Sequence, residues 1–341
     1  MIPSPRLGYD RYWMWRGWRI HYCYLRPRFP SSSSPLLCVH GFGAALGHWR
    51  NNLQILSESR PVYALDLLGF GRSQKAGANY NPAFFAELIA DFCDTFLQRS
   101  AILLGNSLGS VISLLTAHRY GDRVKGLVLI NLPDASVLAP SRRADPPLAP
   151  PKRGIVDPSL APSRIVDPPL APPKRGIVDL THPRRGMIFA TWVRYALTFI
   201  FTSPLIINPL LAIVRSPRIL FSALRNAYVD PRWVDGELKA LIQEPTQDPL
   251  APLALRCLSR GMGQVDPADQ ARSTLPQMQI PMLLIWGKQD RLVPPQLAGR
   301  CARLNPRLQV VELDQAGHCP QDECSDRVNQ TILDWLTQHG L

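Results

Sequence analysis

The sequence predicts an α/β fold in which helices cover both faces of a mostly parallel central sheet. Short apolar runs alternate with amphipathic, helix-like segments near both ends of the chain, and this alternation is typical of parallel sheets. Between residues 132 and 276 the alternation stops. We therefore expect a core formed by residues 1–131 and 277–341, with residues 132–276 inserted as a cap.

The hydrophobic pattern also predicts the elements of the core. The aromatic, alternating stretch at residues 12–24 predicts a hairpin that turns at residues 16–17. Apolar spacing predicts helices over residues 83–97, directly after Ser107, and near residues 328–336. Short apolar runs predict strands at residues 36–39, 61–65, 101–104, 124–130 and 281–286, and the alternation of residues 308–313 predicts a final strand.

The pentapeptide Gly105-Asn106-Ser107-Leu108-Gly109 joins a predicted strand to a predicted helix. A Gly-x-Ser-x-Gly at such a junction is typical of a nucleophile elbow, a turn so sharp that the flanking positions must lack side chains. This turn leaves the serine hydroxyl projecting above the sheet. Ser107 is therefore the candidate nucleophile.

A serine nucleophile needs a base and an acid, and the chain supplies both at later strand ends. Asp290 follows the run at residues 281–286, and His318 follows the run at residues 308–313. Serine, acid and histidine in this order are typical of α/β-hydrolases. His318 is the candidate base, and Asp290 is the candidate acid that fixes the tautomer of His318. Asp134, after the strand that follows the elbow, is the alternative acid.

The loop after the first parallel strand predicts an oxyanion hole. The residues His40-Gly41-Phe42-Gly43 follow the apolar run at residues 36–39. We expect the backbone N–H groups of Phe42 and Leu108 to converge on the negative oxygen of a tetrahedral intermediate, where such donors are worth about 3–4 kcal/mol each. His40 is expected to support this loop rather than to act as a second base.

Longer strings around these residues resemble one branch of the α/β-hydrolases, the pheophytinase-like branch. They are His40-Gly41-Phe42-Gly43-Ala44, His48-Trp49-Arg50 and residues 62–71, 105–109 and 316–323. The branch includes enzymes of oxygenic phototrophs that cleave the phytyl ester of pheophytin. The resemblance implies a catalytic triad of Ser107, Asp290 and His318. Haloalkane dehalogenases and epoxide hydrolases share the fold but have aspartate as nucleophile, so Ser107 argues against both.

The insertion begins with short direct repeats. Residues 145–156 recur at residues 167–178, and residues 140–183 hold twelve prolines in 44 positions. Proline neither propagates helices nor pairs in central strands, so we expect residues 140–183 to be disordered and dispensable. The alternative is a basic arm that docks the protein on an anionic membrane. The residues of that arm would be Lys152, Arg153, Lys174 and Arg175.

The second part of the insertion, residues 184–276, is predicted to form a helical cap. Residues 187–214 are strongly apolar, but Arg194, Pro204 and Pro209 interrupt them, whereas a membrane span needs about 20 uninterrupted apolar residues. We interpret the stretch as cap helices over an apolar pocket, and the alternative is a membrane-inserted hairpin. Such a pocket predicts a bulky, apolar small-molecule ester as the substrate.

Composition narrows the classes of function. The chain has 341 residues and seven cysteines without a C-x-x-C pair, which argues against a disulfide framework and fits a reducing, cytoplasmic compartment without a signal peptide. The net charge of +12 is accompanied by no recognition motif, so no nucleic-acid partner is expected. A solvated basic surface fits better, with peripheral attraction to anionic lipid. The residues predict no cofactor and no metal.

Two rival interpretations compete with the hydrolase. Residues 41–47 resemble the phosphate-binding loop of a dinucleotide-dependent oxidoreductase, with Asp66 as the ribose-binding acid. The spacing, G-x-G-x-x-x-G, departs from the usual fingerprint, and Ser107, Asp290 and His318 are left without a role. The second rival is a non-catalytic binding protein on the same scaffold, because fold alone does not establish chemistry. Such proteins typically lose a triad member, whereas this chain keeps all three.

Overall fold

The structure of the 341-residue chain is a computed structural model. It describes residues 8–29, 31–138, 216–262 and 264–341, all of which belong to one unit made of residues 1–139 and 196–341. The predictions for residues 140–183 and 187–214 lie outside the described residues.

The described residues form one sheet of eight strands. The strands are Tyr9–Trp15 (β1), Trp18–Leu25 (β2), Leu36–Val39 (β3), Val62–Leu65 (β4), Ala101–Asn106 (β5), Val124–Ile130 (β6), Met282–Gly287 (β7) and Leu308–Leu313 (β8). Their order is β1-β2-β4-β3-β5-β6-β7-β8. β2 pairs antiparallel with β1 and β4, and all other neighbours are parallel. The predicted fold class is confirmed.

The strands lie where their hydrophobic patterns place them. β3, β6 and β8 coincide with the predicted runs, and β5 continues two residues further, to Asn106. The predicted hairpin turns at Arg16 and Gly17, which both have positive φ, 51° and 84°. Two consecutive positive φ values are typical of the type I′ turn, whose twist matches that of the flanking strands.

Helices pack on both faces of the sheet. The described helices are Leu53–Leu56 (α1), Pro82–Phe92 (α2), Leu108–Arg119 (α3), Pro217–Ala227 (α4), Gly236–Gln243 (α5), Ala251–Met262 (α6), Ala271–Thr274 (α7), Gln296–Leu304 (α8), Pro320–Glu323 (α9) and Ser325–Gln338 (α10). Side chains alternate along a strand, so Leu37 belongs to the hydrophobic cluster that includes residues of α2, α3 and α8. Leu36 belongs to the cluster on the other face, which includes residues of α1 and α10. The predicted helix over residues 83–97 is α-helical only to Phe92 and continues as a π-helical turn, Cys93–Leu97.

Helices α4 to α7 belong to the segment between β6 and β7. These two strands are neighbours in the sheet, although the chain between them runs from residue 131 to residue 281. In the part of the chain that the structure describes, no helix is long and apolar enough to cross a membrane.

Candidate active site

Ser107 lies in a tight turn between β5 and α3. Its backbone has φ 54° and ψ −119°, and a positive φ is uncommon for serine. The neighbouring glycines make the turn sterically feasible. A Cβ at Gly105 would lie 2.3 Å from the carbonyl oxygen of Gly109, and a Cβ at Gly109 would lie 2.1 Å from that of Val39. A strand, a strained turn and a helix in this order have the geometry of a nucleophile elbow.

Asp290 and His318 lie in the loops after β7 and β8 and are in hydrogen-bond contact. His318 Nδ1 is 2.8 Å from Asp290 Oδ2, while the amides of Leu292 and Val293 donate to Asp290 Oδ1 at 2.8 and 2.9 Å. Burial alone raises the pKa of this carboxyl group. The hydrogen bond and charge of His318, with the two amides, outweigh burial and lower the pKa of Asp290 below its ordinary value. An ionised Asp290 keeps the proton on His318 Nδ1, which leaves Nε2 as a proton acceptor.

Ser107 and His318 line the same cavity, which has a volume of about 650 Å³. In the described part of the chain no hydrogen bond joins the two side chains, and such bonds often tighten only when a substrate binds. The wall is mostly apolar and is formed partly by the core and partly by α4, α5 and α6. Apolar side chains of this wall include Phe42, Phe70, Leu224, Ile242, Leu258 and Val293. The cavity can hold an apolar chain beside the hydroxyl group.

The loop that carries Phe42 lies close to Ser107. A Cβ at Gly41 would lie 3.2 Å from Ser107 Cβ, and among the described residues the Phe42 amide has no hydrogen-bond acceptor. Leu108 is the first residue of α3, so its amide lacks an intrahelical acceptor as well. Both amides predicted for the oxyanion hole are therefore available near Ser107.

His40 supports this loop, as expected. The buried ring accepts a hydrogen bond from the Leu67 amide at Nε2, 3.0 Å, so the proton lies on Nδ1, which donates to the Gly41 carbonyl at 2.7 Å. Burial lowers the pKa of His40 and favours this neutral ring. His40 is fully engaged on both nitrogens and does not act as a second base.

Two asparagines that the sequence interpretation did not single out hold the His318 loop. Asn131 Nδ2 donates to Asp290 Oδ2 and, at 3.1 Å, to the Gly317 carbonyl. Asn106, within the elbow, donates from Nδ2 to the His318 carbonyl at 3.1 Å. Their positions directly after β6 and at the end of β5 were the only sequence signal, because the partners are distant in the chain.

A buried polar network borders the same cavity. Arg50 Nε donates to Asp322 Oδ1 at 3.0 Å, and the Tyr228 hydroxyl donates to Asp322 Oδ2 at 2.9 Å. The same hydroxyl lies 2.9 Å from His48 Nε2, and Arg50 also pairs with Asp235 at 2.8 Å. His48 and Tyr228 both line the cavity. The network therefore ties the core to the segment that follows α4.

The other acidic candidates are engaged elsewhere. Asp134 accepts hydrogen bonds from the amides of Ser136 and Ala271, and its side chain is not bonded to His318. Asp66 is 1% exposed and binds His21 as well as the amides of Leu46 and Arg72. A carboxylate bonded in this way is not free to take a ribose hydroxyl, which argues against the dinucleotide interpretation.

Among the described residues, no cluster of histidine, cysteine and acidic side chains is suited to a metal ion.

A serine at a strained strand-to-helix turn and an Asp–His pair at two later strand ends are the arrangement expected of a hydrolase on an α/β scaffold. The family model described as "alpha/beta hydrolase fold" matches residues 34–152 and 259–324, more than half of the chain. The chain belongs to this family.

Curated relatives match a shorter part of the chain. The 1-acylglycerol-3-phosphate O-acyltransferase ABHD5 of Rattus norvegicus is 38% identical over 123 residues, 34% of this chain and 35% of the relative. The (lyso)-N-acylphosphatidylethanolamine lipase of Homo sapiens is 39% identical over 102 residues, 29% of this chain and 30% of the relative. The match thus spans roughly a third of the length of these relatives.

Solved structures match over nearly the whole chain at low identity. A membrane phospholipase A, described as a bacterial virulence factor, superposes with a TM-score of 0.68 and 22% identity, covering 98% of this chain and 87% of the other. A thermophilic esterase from Thermogutta terrifontis has a TM-score of 0.64 and 20% identity, covering 97% of this chain and 100% of the other. At these identities the similarity shows the fold alone.

Proposed function

We propose that this protein is a serine hydrolase that cleaves a carboxylic ester through an acyl-enzyme. The observation that carries the proposal is the placement of Ser107 in an elbow and of the Asp290–His318 pair around one apolar cavity. Three groups of the types required for nucleophilic catalysis follow the carboxyl ends of β5, β7 and β8, strands of one parallel part of the sheet.

In the proposed mechanism Ser107 Oγ attacks the ester carbonyl while His318 Nε2 takes its proton. Asp290 holds the His318 tautomer and stabilises the imidazolium that forms. The amides of Phe42 and Leu108 stabilise the oxyanion, and His318 then protonates the departing alcohol. Water, activated by His318, hydrolyses the acyl-enzyme and restores Ser107.

The substrate class that we propose is an ester with a bulky apolar part. Burial of apolar surface at about 25 cal/mol per Å² stabilises a bound chain without specific polar contacts, and the cavity wall is mostly apolar. The similarity to a (lyso)-N-acylphosphatidylethanolamine lipase and to a 1-acylglycerol-3-phosphate O-acyltransferase supports a lipid-like ester. The phytyl ester of pheophytin is the specific substrate that the sequence resemblance suggests.

The central experiment compares Ser107→Ala with Ser113→Ala on a panel of p-nitrophenyl esters. Ser113 is a matched control, because it lies on α3, is buried, and has no hydrogen-bond partner for its hydroxyl among the described residues. Ser107→Ala should lose about 10⁴-fold or more in kcat and should not react with a fluorophosphonate probe. Ser113→Ala should keep both properties. Full turnover by Ser107→Ala would exclude the mechanism.

The substrate class is tested with the wild-type protein alone. Rates should rise as the acyl chain of the ester lengthens from acetate to dodecanoate, and pheophytin and chlorophyll should be assayed beside these esters. A steady fall in kcat/KM with chain length would contradict the proposed apolar substrate. Absence of labelling by the fluorophosphonate probe, together with no turnover of any ester, would favour the non-catalytic rival.

A further inference from the structure

The loop that carries His318 is in direct backbone contact with the C-terminal end of α4. The His318 amide donates to the Ala227 carbonyl at 2.7 Å. The approach is so close that a Cβ at Gly317 would lie 2.4 Å from the same oxygen. Tyr228, the next residue, lines the cavity of Ser107. The base and one wall of the cavity are therefore adjacent along this contact.

One buried carboxylate holds both sides of the contact. Glu323 Oε1 accepts a hydrogen bond from the Gly317 amide, next to His318. Glu323 Oε2 accepts from the amides of Val229 and, at 3.1 Å, Asp230. Glu323 is only 5% exposed, so water cannot readily replace these bonds. A carboxylate suits the position, because three N–H donors need two oxygens that both accept.

Asp322, the residue before Glu323, binds the same segment through a side-chain contact with Tyr228. Asp322 Oδ2 accepts from the Tyr228 hydroxyl at 2.9 Å, and Asp322 Oδ1 accepts from Arg50 Nε at 3.0 Å. Arg50 reaches Asp235 beyond the segment. The side chains of Asp322 and Glu323, consecutive on α9, thus fix residues 228–230 against the core. Of these two side chains, only Glu323 also binds the His318 loop.

We propose that Glu323 is a positioning residue. It keeps His318 aligned with Ser107, and it fixes the position of the cavity wall at Tyr228 relative to His318. This proposal rests on the proposed hydrolase function. Glu323 does not touch the reacting atoms and acts through the Gly317 amide. A displacement of a catalytic group by about 1 Å can cost about 100-fold in rate.

The test uses Glu323→Gln with Glu312→Gln as the matched control. Glu312 is exposed on β8, and its side chain makes no hydrogen bond or ion pair among the described residues. In Glu323→Gln one carboxylate oxygen is replaced by an NH₂ group, which cannot accept a hydrogen bond from a backbone N–H. The side chain therefore loses its hydrogen bonds either to the Gly317 amide or to the amides of Val229 and Asp230. We expect kcat on p-nitrophenyl acetate and decanoate to fall about 10- to 100-fold. We also expect KM for the decanoate to rise, while Glu312→Gln keeps the wild-type values.

A second readout does not depend on turnover. The proton of His318 Nδ1, in its hydrogen bond to Asp290, gives a low-field NMR resonance that should shift in Glu323→Gln and stay in place in Glu312→Gln. If Glu323→Gln does not fold, Glu323→Asp replaces it, because that variant keeps both oxygens and shortens their reach.

The outcomes separate a positioning role from a structural one. A lowered melting temperature with unchanged kcat, KM and His318 resonance would overturn the positioning role. If the wild-type protein neither turns over esters nor reacts with a fluorophosphonate, the proposed function fails. The NMR comparison then still tests whether Glu323 sets the position of His318.

Discussion

Asn131 donates a hydrogen bond to Asp290 Oδ2, the same oxygen that lies 2.8 Å from His318 Nδ1. The Asn131 amide also donates to the Gly317 carbonyl at 3.1 Å and accepts from the Gly287 amide at 3.2 Å. Asn131 has a φ of 50°, which asparagine tolerates better than most residues. One side chain at the end of β6 therefore connects the loops of the acid and of the histidine.

Asn131→Ala should lower kcat by about 10- to 100-fold, because a hydrogen bond to a charged group contributes about 1.5–3 kcal/mol. The control is Asn305→Ala, whose buried amide donates to the carbonyls of Leu275 and Met278, away from the site. Both variants should melt at a lower temperature, but only Asn131→Ala should lose activity. Equal kcat for the two variants would contradict a role of Asn131 in orienting Asp290.

Asp290→Asn should reduce kcat by about 10⁴-fold, because an amide at this position favours the wrong His318 tautomer. Asp134→Asn should keep kcat near the wild-type value, because Asp134 binds the amides of Ser136 and Ala271. Steady-state kinetics of both variants on one soluble ester decide between the two acids. If Asp134→Asn is the inactive variant, the acid must be reassigned.

Gly109→Ala should abolish activity and destabilise the protein by about 3 kcal/mol or more, since the new Cβ would lie 2.1 Å from the Val39 carbonyl oxygen. Gly121→Ala is the matched control, because a Cβ there meets no atom within 4 Å. Its stability should change by no more than about 0.5 kcal/mol. Urea unfolding of both variants measures the difference, and similar midpoints would show that the elbow has room for a methyl group at position 109.

The stability of the protein should depend on pH through His21. This ring is buried with Nδ1 2.6 Å from Asp66 Oδ2 and Nε2 3.0 Å from Asp10 Oδ1. Burial lowers the pKa of His21, but the hydrogen bonds and charges of the two carboxylates outweigh it and raise the pKa above 6.5. A raised pKa means that the folded protein binds the proton more tightly than the unfolded chain.

The stabilisation from His21 is therefore fully present below about pH 6.5 and is lost as the pH rises through the folded value. Urea midpoints of the wild type and of His21→Gln, measured from about pH 6 to pH 9, should converge as the pH rises. A constant gap between the two proteins would show that His21 contributes by packing and not by charge.

The proline-rich repeats are expected to be dispensable for folding and activity. Residues 140–183 lie outside the described residues, so the expectation that they are dispensable stays a prediction. Joining residue 139 to residue 184 through a short Gly-Ser linker should preserve the melting temperature and the turnover of soluble esters, because shortening a loop changes closure entropy by only about 0.6 kcal/mol per halving. Loss of either property would show that the repeats are a folded part of the protein.

The sequence predicted the strands well. Burial on both faces makes a central parallel strand such as Leu36–Val39 a continuous apolar run, whereas the edge strand Leu308–Leu313 alternates apolar and polar residues. Leu36–Val39 and Leu308–Leu313 agree with the predicted runs at both ends. The contact between Asp290 and His318 was also predictable, since both follow strands whose carboxyl ends meet at one edge. The order of the strands and of the residues that follow them along the sequence was therefore enough to predict Ser107, Asp290 and His318 as the candidate site.

The supporting contacts could not be predicted in the same way. Asn131 and Asp290 are 159 positions apart, and Glu323 binds an amide 94 positions away. Nothing in the local pattern distinguishes these side chains from ordinary polar residues after a strand or on a short helix. Their roles depend on how three loops meet in space, and that follows only once the sheet order is known.

The direct pairing of β6 with β7 has an evolutionary consequence. Ile130 is the register partner of Ile285, so the long intervening segment leaves and re-enters the sheet at adjacent strands, about 4.8 Å apart. An insertion or a deletion in this segment, away from its contacts with the core, alters no register within the sheet. A lineage can therefore lengthen or shorten the intervening segment while it inherits the sheet that carries Ser107, Asp290 and His318.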